Sequence, residues 1–484
     1  MTKKWFWIGI SAIFLLSISL RFWGLARFNG LVFDELYYAK FGNDYLTHTP
    51  FFDGHPPLGK LIIALGIWIS THIPFSPNEV NGLTGRTLSP LNYRWMNAFS
   101  GSFIPLIVAG IAYQLSYRRS FALLAGLFTA CDGIFLVESR YALINQYIVI
   151  FGLLGQLFLL LALANQRQFR LYLMLSGVAF GASIATKWNG VFYLMGTYLI
   201  WIVAWAKYKF TKEITDNAAA TKFTVNKLPP LHNLTQLNIL HIIFYLGIIP
   251  AVVYSIIWIP HLQIDTRYGF IEVHRQILLF HERLGGNSPK VHPYCAAWYK
   301  WPLMTRPIAY FYGTTQSLKD PLPMEGPPLP PADVKFMYDV HAMGNPFLWW
   351  FGVAALLFLL GMLVWRFLVP LVRTKSVSVA TAFSTDIWII VYILVNYTAN
   401  LLPWVGVNRC IFIYHYMTGV VFAFLAIAWL VDRWLFSYRK ELRAIGVTIT
   451  FLILGSLIFW MPIYLGLPLS SDGYRLRMWF NSWI

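Results

Sequence analysis

Acidic residues are scarce in this chain: 20 Asp and Glu among 484 residues, with only 12% of all residues charged. A soluble domain needs about 25% charged residues to cover its surface, so a soluble globular protein is excluded. Cysteine is scarce as well. Cys131 and Cys410 fall in or near apolar runs and Cys295 stands alone in a loop. No spacing suits a metal, and no structural disulfide is expected; neither metal nor cofactor is called for. Strict alternation is missing from the apolar runs, which argues against a closed β-barrel. Internal repeats of the transporter kind are missing too. No small-residue cleavage site follows Lys3 and Lys4, so the first apolar run is expected to stay as a helix.

What the chain has is apolar length. Hydrophobic residues make up 58% of it, and the mean hydropathy is +0.57. Runs of about 20 apolar residues recur, each long enough to span a bilayer as a helix. Spans are expected near 5–27, 96–115, 121–137, 142–164, 171–186, 190–206, 239–259, 346–366, 386–403, 411–431 and 445–466. The fold class is therefore an all-α polytopic membrane protein of about eleven helices. Placing Lys3 and Lys4 inside also places Arg118-Arg119, Arg167 with Arg170, Lys207 with Lys209, Arg373 with Lys375, and Arg439-Lys440 with Arg443 inside. One orientation thus satisfies the positive-inside rule throughout, with the N-terminus cytoplasmic and the C-terminus external. These short loops account for the net charge of +17 without a nucleic-acid partner.

Two longer segments fall outside on this orientation, 28–95 and 260–345. Within the second, 269–284 carries Phe270, Val273, Ile277 and Leu284 at helical spacing, the pattern of an amphipathic helix lying on the membrane surface. A proline-rich turn region, 321–331, follows. The internal segment 207–238 is polar and basic.

The chemistry-bearing residues gather in these outer segments and at outer helix ends. Asp34 and Glu35 stand among Phe33, Leu36, Tyr37 and Tyr38. An adjacent acidic pair in a loop is ordinarily solvated, but aromatic surroundings desolvate a carboxylate and make it a better base. Adjacent side chains point apart, so two separate roles are expected. His55-Pro56-Pro57 forms a stiff turn, and its His is either an exposed turn residue or a ligand for a hydroxyl or phosphate. Arg94, Arg140, Lys187, Arg409 and His415 all fall at outer helix ends. Single cations there usually snorkel to headgroups. Several on the face that also holds Asp34 suggest an anionic ligand such as a lipid phosphate.

These elements resemble the protein O-mannosyltransferase family. The resemblance rests on Phe33-Asp34-Glu35, His55-Pro56-Pro57-Leu58-Gly59-Lys60, Arg94, Glu138-Ser139-Arg140-Tyr141 and Lys187-Trp188-Asn189-Gly190. It continues through His292-Pro293-Tyr294, Trp298, Trp301-Pro302-Leu303-Met304, Arg306-Pro307, Gly344-Asn345-Pro346, Trp349-Trp350, and Arg409 with Tyr414-His415-Tyr416. It implies a GT-C glycosyltransferase architecture with its active site on the outer face. The implied donor is polyprenyl-phosphate-mannose, the implied acceptors are Ser and Thr hydroxyls of exported proteins, and coupling to the export machinery is expected. In those terms Asp34 is the base, Glu35 and His55 position acceptor or sugar, and Arg94, Arg140, Lys187, Arg409 and His415 hold the donor phosphate. Attack opposite the phosphate inverts the anomeric centre. The 260–345 segment is too short for the β-trefoil that eukaryotic members insert there, so a bacterial member in the plasma membrane is implied. The competing readings are a transferase of the same fold for another sugar, and a polar-lipid transporter, for which only Asp132 could supply a charge at mid-membrane depth.

Overall fold

The computed structural model describes residues 2–73, 88–215, 229–286, 288–320, 322, 335–374 and 384–484. Most of the proline-rich stretch 321–331, the middle of 207–238 and Lys375 lie outside them. Among the described residues, ten helices are long and apolar enough to cross a membrane, or up to eleven if a bent pair is counted as one span. The chain is a multi-pass membrane protein. Its most central span, Ile413–Leu435, is buried along its whole apolar window, as a helix that is hydrophobic all round must be. Lys3–Phe22, Ile239–Ile264 and Lys440–Leu465 are mostly open on the outside of the bundle, where their apolar side chains meet lipid rather than water.

The bent pair is Arg119–Ala130 and Gly133–Arg140, which meet at 59°. Asp132 sits at the break and caps the second helix, accepting from the Phe135 N–H at 3.1 Å. It also accepts from the Asn345 N–H at 3.0 Å and from Trp349 Nε1 at 2.7 Å. This carboxylate is fully engaged in holding a helix break, which removes the residue that favoured a transporter.

Successive crossings alternate direction. Residues near 34, 94, 140, 187 and 409 therefore gather at one end of the bundle, and the basic clusters of 3–4, 118–119, 167–170, 207–209 and 439–443 gather at the other. The segment 28–95 is more ordered than a loop. It contains the helices Glu35–Leu46 and Leu58–His72; the second, at about 1.5 Å per residue, is too short to span the bilayer. The segment 260–345 holds the expected amphipathic helix, Phe270–Arg283, which buries Val273 and Ile277 beside Trp258. It also holds an antiparallel hairpin, Ile308–Thr315 with Phe336–Ala342, whose aromatic and β-branched residues suit a half-buried strand.

The expectation of no structural disulfide is corrected: Cys295 and Cys410 are bonded across 115 residues of sequence. Cys410 lies on the non-helical link between the short helices Leu402–Gly406 and Ile413–Tyr416. Its apolar neighbours disguise that link as part of a span, and only the folded chain brings the 285–296 loop onto it.

Candidate active site

Asp34 sits at the start of the helix Glu35–Leu46. The residue before it, Phe33, has φ of 52°, a left-handed conformation that is an outlier for a bulky side chain. Phe33 is held there from two sides. Its ring stacks on Tyr310 at 4.3 Å, and Glu35 accepts from the Val32 N–H at 2.9 Å. The turn points Asp34 into a cavity while Glu35 turns away from it.

Glu35, Arg94 and Arg140 do not line that cavity, which corrects their expected roles. Glu35 is fully buried and accepts from Arg94 Nε and Nη2, from Val32 N–H and from Ala142 N–H, all at 2.7–2.9 Å. Arg94 donates its remaining N–H groups to the carbonyls of Leu25, Phe28 and Gly30, so its five donors are used. Arg140 donates to the carbonyls of Leu20, Arg21, Trp23 and Gly24, the end of the first span. There a cation complements the helix dipole. Both arginines fix the loop that delivers Asp34.

Opposite Asp34 lies Lys187, between the spans Gln166–Thr186 and Trp188–Lys209. Its ammonium donates to Asn145 Oδ1 at 3.0 Å and stands 5.2 Å from the Tyr414 ring centre. Asn145 in turn donates to Glu138 at 3.2 Å, and Glu138 accepts a short hydrogen bond from the Tyr310 hydroxyl. The relay Lys187–Asn145–Glu138–Tyr310 therefore returns to the ring that supports Phe33. Sequence reasoning quoted Glu138 but gave it no role, and missed Tyr310.

The third wall comes from 51–60. Asp53, unnoticed in the sequence, forms an ion pair with buried Lys60. The Lys60 ammonium also donates to the carbonyls of His55 and Pro56 at 2.7 and 3.1 Å, so the stiff turn is tied to its own lysine. Nothing in the sequence marked the pair, because Lys60 is buried only in the folded turn. Gly54 lets the roof helix Phe270–Arg283 approach, since a Cβ there would lie 2.4 Å from the Phe280 ring. His281 on that helix faces His55, ring centres 5.4 Å apart, and meets the Gly54 carbonyl at 2.9 Å.

Arg409 and His415 close the site. His415 is held by Phe412 through Nδ1 and stacks on Trp301 of the Trp-Pro-Leu-Met run, while its buried Nε2 has no hydrogen-bond partner among the described residues. Asp34, Asp53, His55, Lys187, Arg409 and His415 line one cavity of about 450 Å³. A neighbouring cavity of about 730 Å³ shares His55, Lys187, Arg409 and His415 and extends past Trp188. Trp188 also borders an apolar groove of about 560 Å³ lined by Ile184, Leu194, Tyr198, Leu246 and Pro250.

Burial pushes the Asp34 carboxyl up to about 6, against the pull of Lys187 and with a push from Asp53. Burial, then the Arg409 charge, lowers Lys187 to about 8. Burial and the same cations hold His55 well below the usual imidazole range and His281 at about 4. The site thus combines a carboxyl group raised by burial, two cations and neutral imidazoles.

Two family models match in succession. One described as dolichyl-phosphate-mannose-protein mannosyltransferase matches residues 11–264, and one for the C-terminal four-helix region of protein O-mannosyltransferase matches 266–483. The chain belongs to the protein O-mannosyltransferase family. It is similar to the polyprenol-phosphate-mannose–protein mannosyltransferase of Mycolicibacterium smegmatis, 24% identical over 93% of this chain and 87% of the relative. It is also similar to that of Mycobacterium tuberculosis, 22% identical over 99% of this chain and 92% of the relative. Among solved structures, a chain of the S. cerevisiae protein O-mannosyltransferase Pmt1–Pmt2 complex bound to the sugar donor aligns with a TM-score of 0.77 at 13% identity. That alignment covers 100% of this chain and 93% of that one. ArnT from Cupriavidus metallidurans in the apo state aligns at 0.51 and 10% identity, over 96% and 76%. The GT-C fold is shared with both, and this family member is a membrane-embedded mannosyltransferase.

Proposed function

We propose that this chain transfers mannose from polyprenyl-phosphate-mannose to Ser and Thr hydroxyls of exported proteins, inverting the anomeric centre, at the outer face of a bacterial plasma membrane. One observation carries the reading: Asp34 faces Lys187 and Arg409 across a single cavity. Asp34 takes the proton of the acceptor hydroxyl as its oxygen bonds to the sugar C1. The bond from C1 to the phosphate oxygen breaks, and the lipid phosphate leaves with the bonding electrons. A positioned base contributes roughly 10²–10⁴-fold to such a step. Lys187, Arg409 and the unpartnered Nε2 of His415 neutralise the departing charge, which grows in the transition state.

Of the five phosphate ligands expected, Arg94 spends all its donors elsewhere and Arg140 holds the carbonyls that end the first span, which leaves Lys187, Arg409 and His415 on the cavity. Neutral His55 faces the sugar hydroxyls. The lipid tail runs past Trp188 into the apolar groove, whose lining matches a hydrocarbon chain. The basic clusters at the opposite end of the bundle support an external site, a cytoplasmic N-terminus and an external C-terminus. An acceptor met on that face before it folds would come from the export machinery. The test is purified protein in detergent with labelled polyprenyl-phosphate-mannose and a Ser/Thr-rich peptide. Label appearing on the peptide supports the reaction. Donor left intact in detergent contradicts it.

A further inference from the structure

Arg409 and Lys187 are like charges in one site. They repel, and this is the largest charge effect on Lys187, ahead of the pull of Asp34, of Glu138 or of Asp53, the more so because the site is partly desolvated. Among the described residues Arg409 makes no ion pair; its Nη1 donates only to the neighbouring Cys410 carbonyl at 3.0 Å. What keeps it facing Lys187 is therefore its backbone. That backbone is clasped by the 285–296 loop. Gly286 and Arg409 form an isolated antiparallel bridge, the Cys410 N–H donates to the Gly285 carbonyl at 2.9 Å, and the Ala296 N–H donates to the Ile411 carbonyl at 2.8 Å. The Cys295–Cys410 disulfide joins the two strands of this clasp, one residue from Arg409.

We propose that the Cys295–Cys410 disulfide is a positioning element for the lipid-phosphate end of the donor, holding Arg409 in place against repulsion by Lys187. This rests on reading Arg409 as a phosphate ligand. Opening the disulfide frees the clasp, Arg409 relaxes away from Lys187, and donor binding weakens. Asp34 and the acceptor side, anchored by Arg94 and Glu35, are unaffected.

The experiment measures donor and acceptor KM in detergent for the unmodified protein, C295S/C410S, R409A and the triple variant. The unmodified protein is also assayed after a dithiol reductant. That reagent passes two electrons and two protons to the cysteine sulfurs and is itself oxidised to a cyclic disulfide. The reduced arm needs no refolding, so it carries the test even where the serine variant folds poorly. Donor KM is expected to rise about tenfold on opening the disulfide, the scale of one charge-assisted hydrogen bond, with acceptor KM unchanged. C295S/C410S should ignore the reductant, and opening the disulfide in R409A should add nothing. A donor KM that stays put in C295S/C410S and after reduction, while R409A raises it, overturns the positioning role. Equal changes in donor and acceptor KM, or an undiminished effect in R409A, overturn it as well. R409A without effect on donor KM would instead overturn the phosphate reading beneath it.

Discussion

Arg94 and Glu35 form a closed buried unit in which the guanidinium gives two hydrogen bonds, at 2.9 and 2.7 Å, to one carboxylate. The remaining donors of Arg94 hold three carbonyls of the 25–30 loop. Asp34 stands one residue before Glu35, so the direction of the proposed base is set by an ion pair that does not line the cavity.

Removing one partner of this pair leaves a buried charge uncompensated. Arg94→Ala should cost about 3–5 kcal/mol, read as a lower unfolding temperature in detergent. Arg94→Lys should recover little, because an ammonium cannot reproduce the planar fork. In the fraction that stays folded, donor KM should be unchanged; a large rise in donor KM with normal stability would return Arg94 to the phosphate site.

The pH dependence follows from two groups. Asp34 acts as base only when ionised, so kcat/KM should fall as pH drops below about 6. Lys187 binds phosphate only when protonated, so kcat/KM should fall again above about 8. A bell-shaped profile between these limits is expected. Lys187→Arg, if active, should lose the alkaline limb because arginine stays charged. A flat acid limb would count against Asp34.

Asp53 neutralises the buried Lys60 that ties the His-Pro-Pro turn. Asp53→Ala should destabilise the chain by about 3–5 kcal/mol. Adding Lys60→Met should recover much of that stability, because the stranded charge is gone. Comparing the unfolding temperatures of the single and double variants checks this; no recovery in the double variant would mean Asp53 acts through other contacts.

The helical spans were legible because apolar length in a bilayer admits few solutions, and the expected spans overlap the ten long apolar helices and the bent pair among the described residues. Asp34, His55, Lys187, Arg409 and His415 could be picked out as neighbours because motif and helix-end position coincide at one end of the bundle, and one cavity brings them together. Arg94 and Arg140 were misread for a physical reason. A cation at a helix end can serve a phosphate or the carbonyls of a neighbouring chain, and sequence does not reveal the carbonyls. Asp53 was overlooked because its partner, Lys60, is buried only in the folded turn. The Cys295–Cys410 bond was hidden by 115 residues of intervening chain.

Asp34→Asn tests the central claim most directly, because it keeps the shape of the side chain and removes only its basicity. The variant is assayed for mannose transfer from labelled polyprenyl-phosphate-mannose to peptide, beside its unfolding temperature and donor binding. Transfer reduced by roughly 10²–10⁴-fold, with folding and donor binding retained, is the predicted result. Near-normal turnover in the folded variant would contradict it and move the base to another carboxylate.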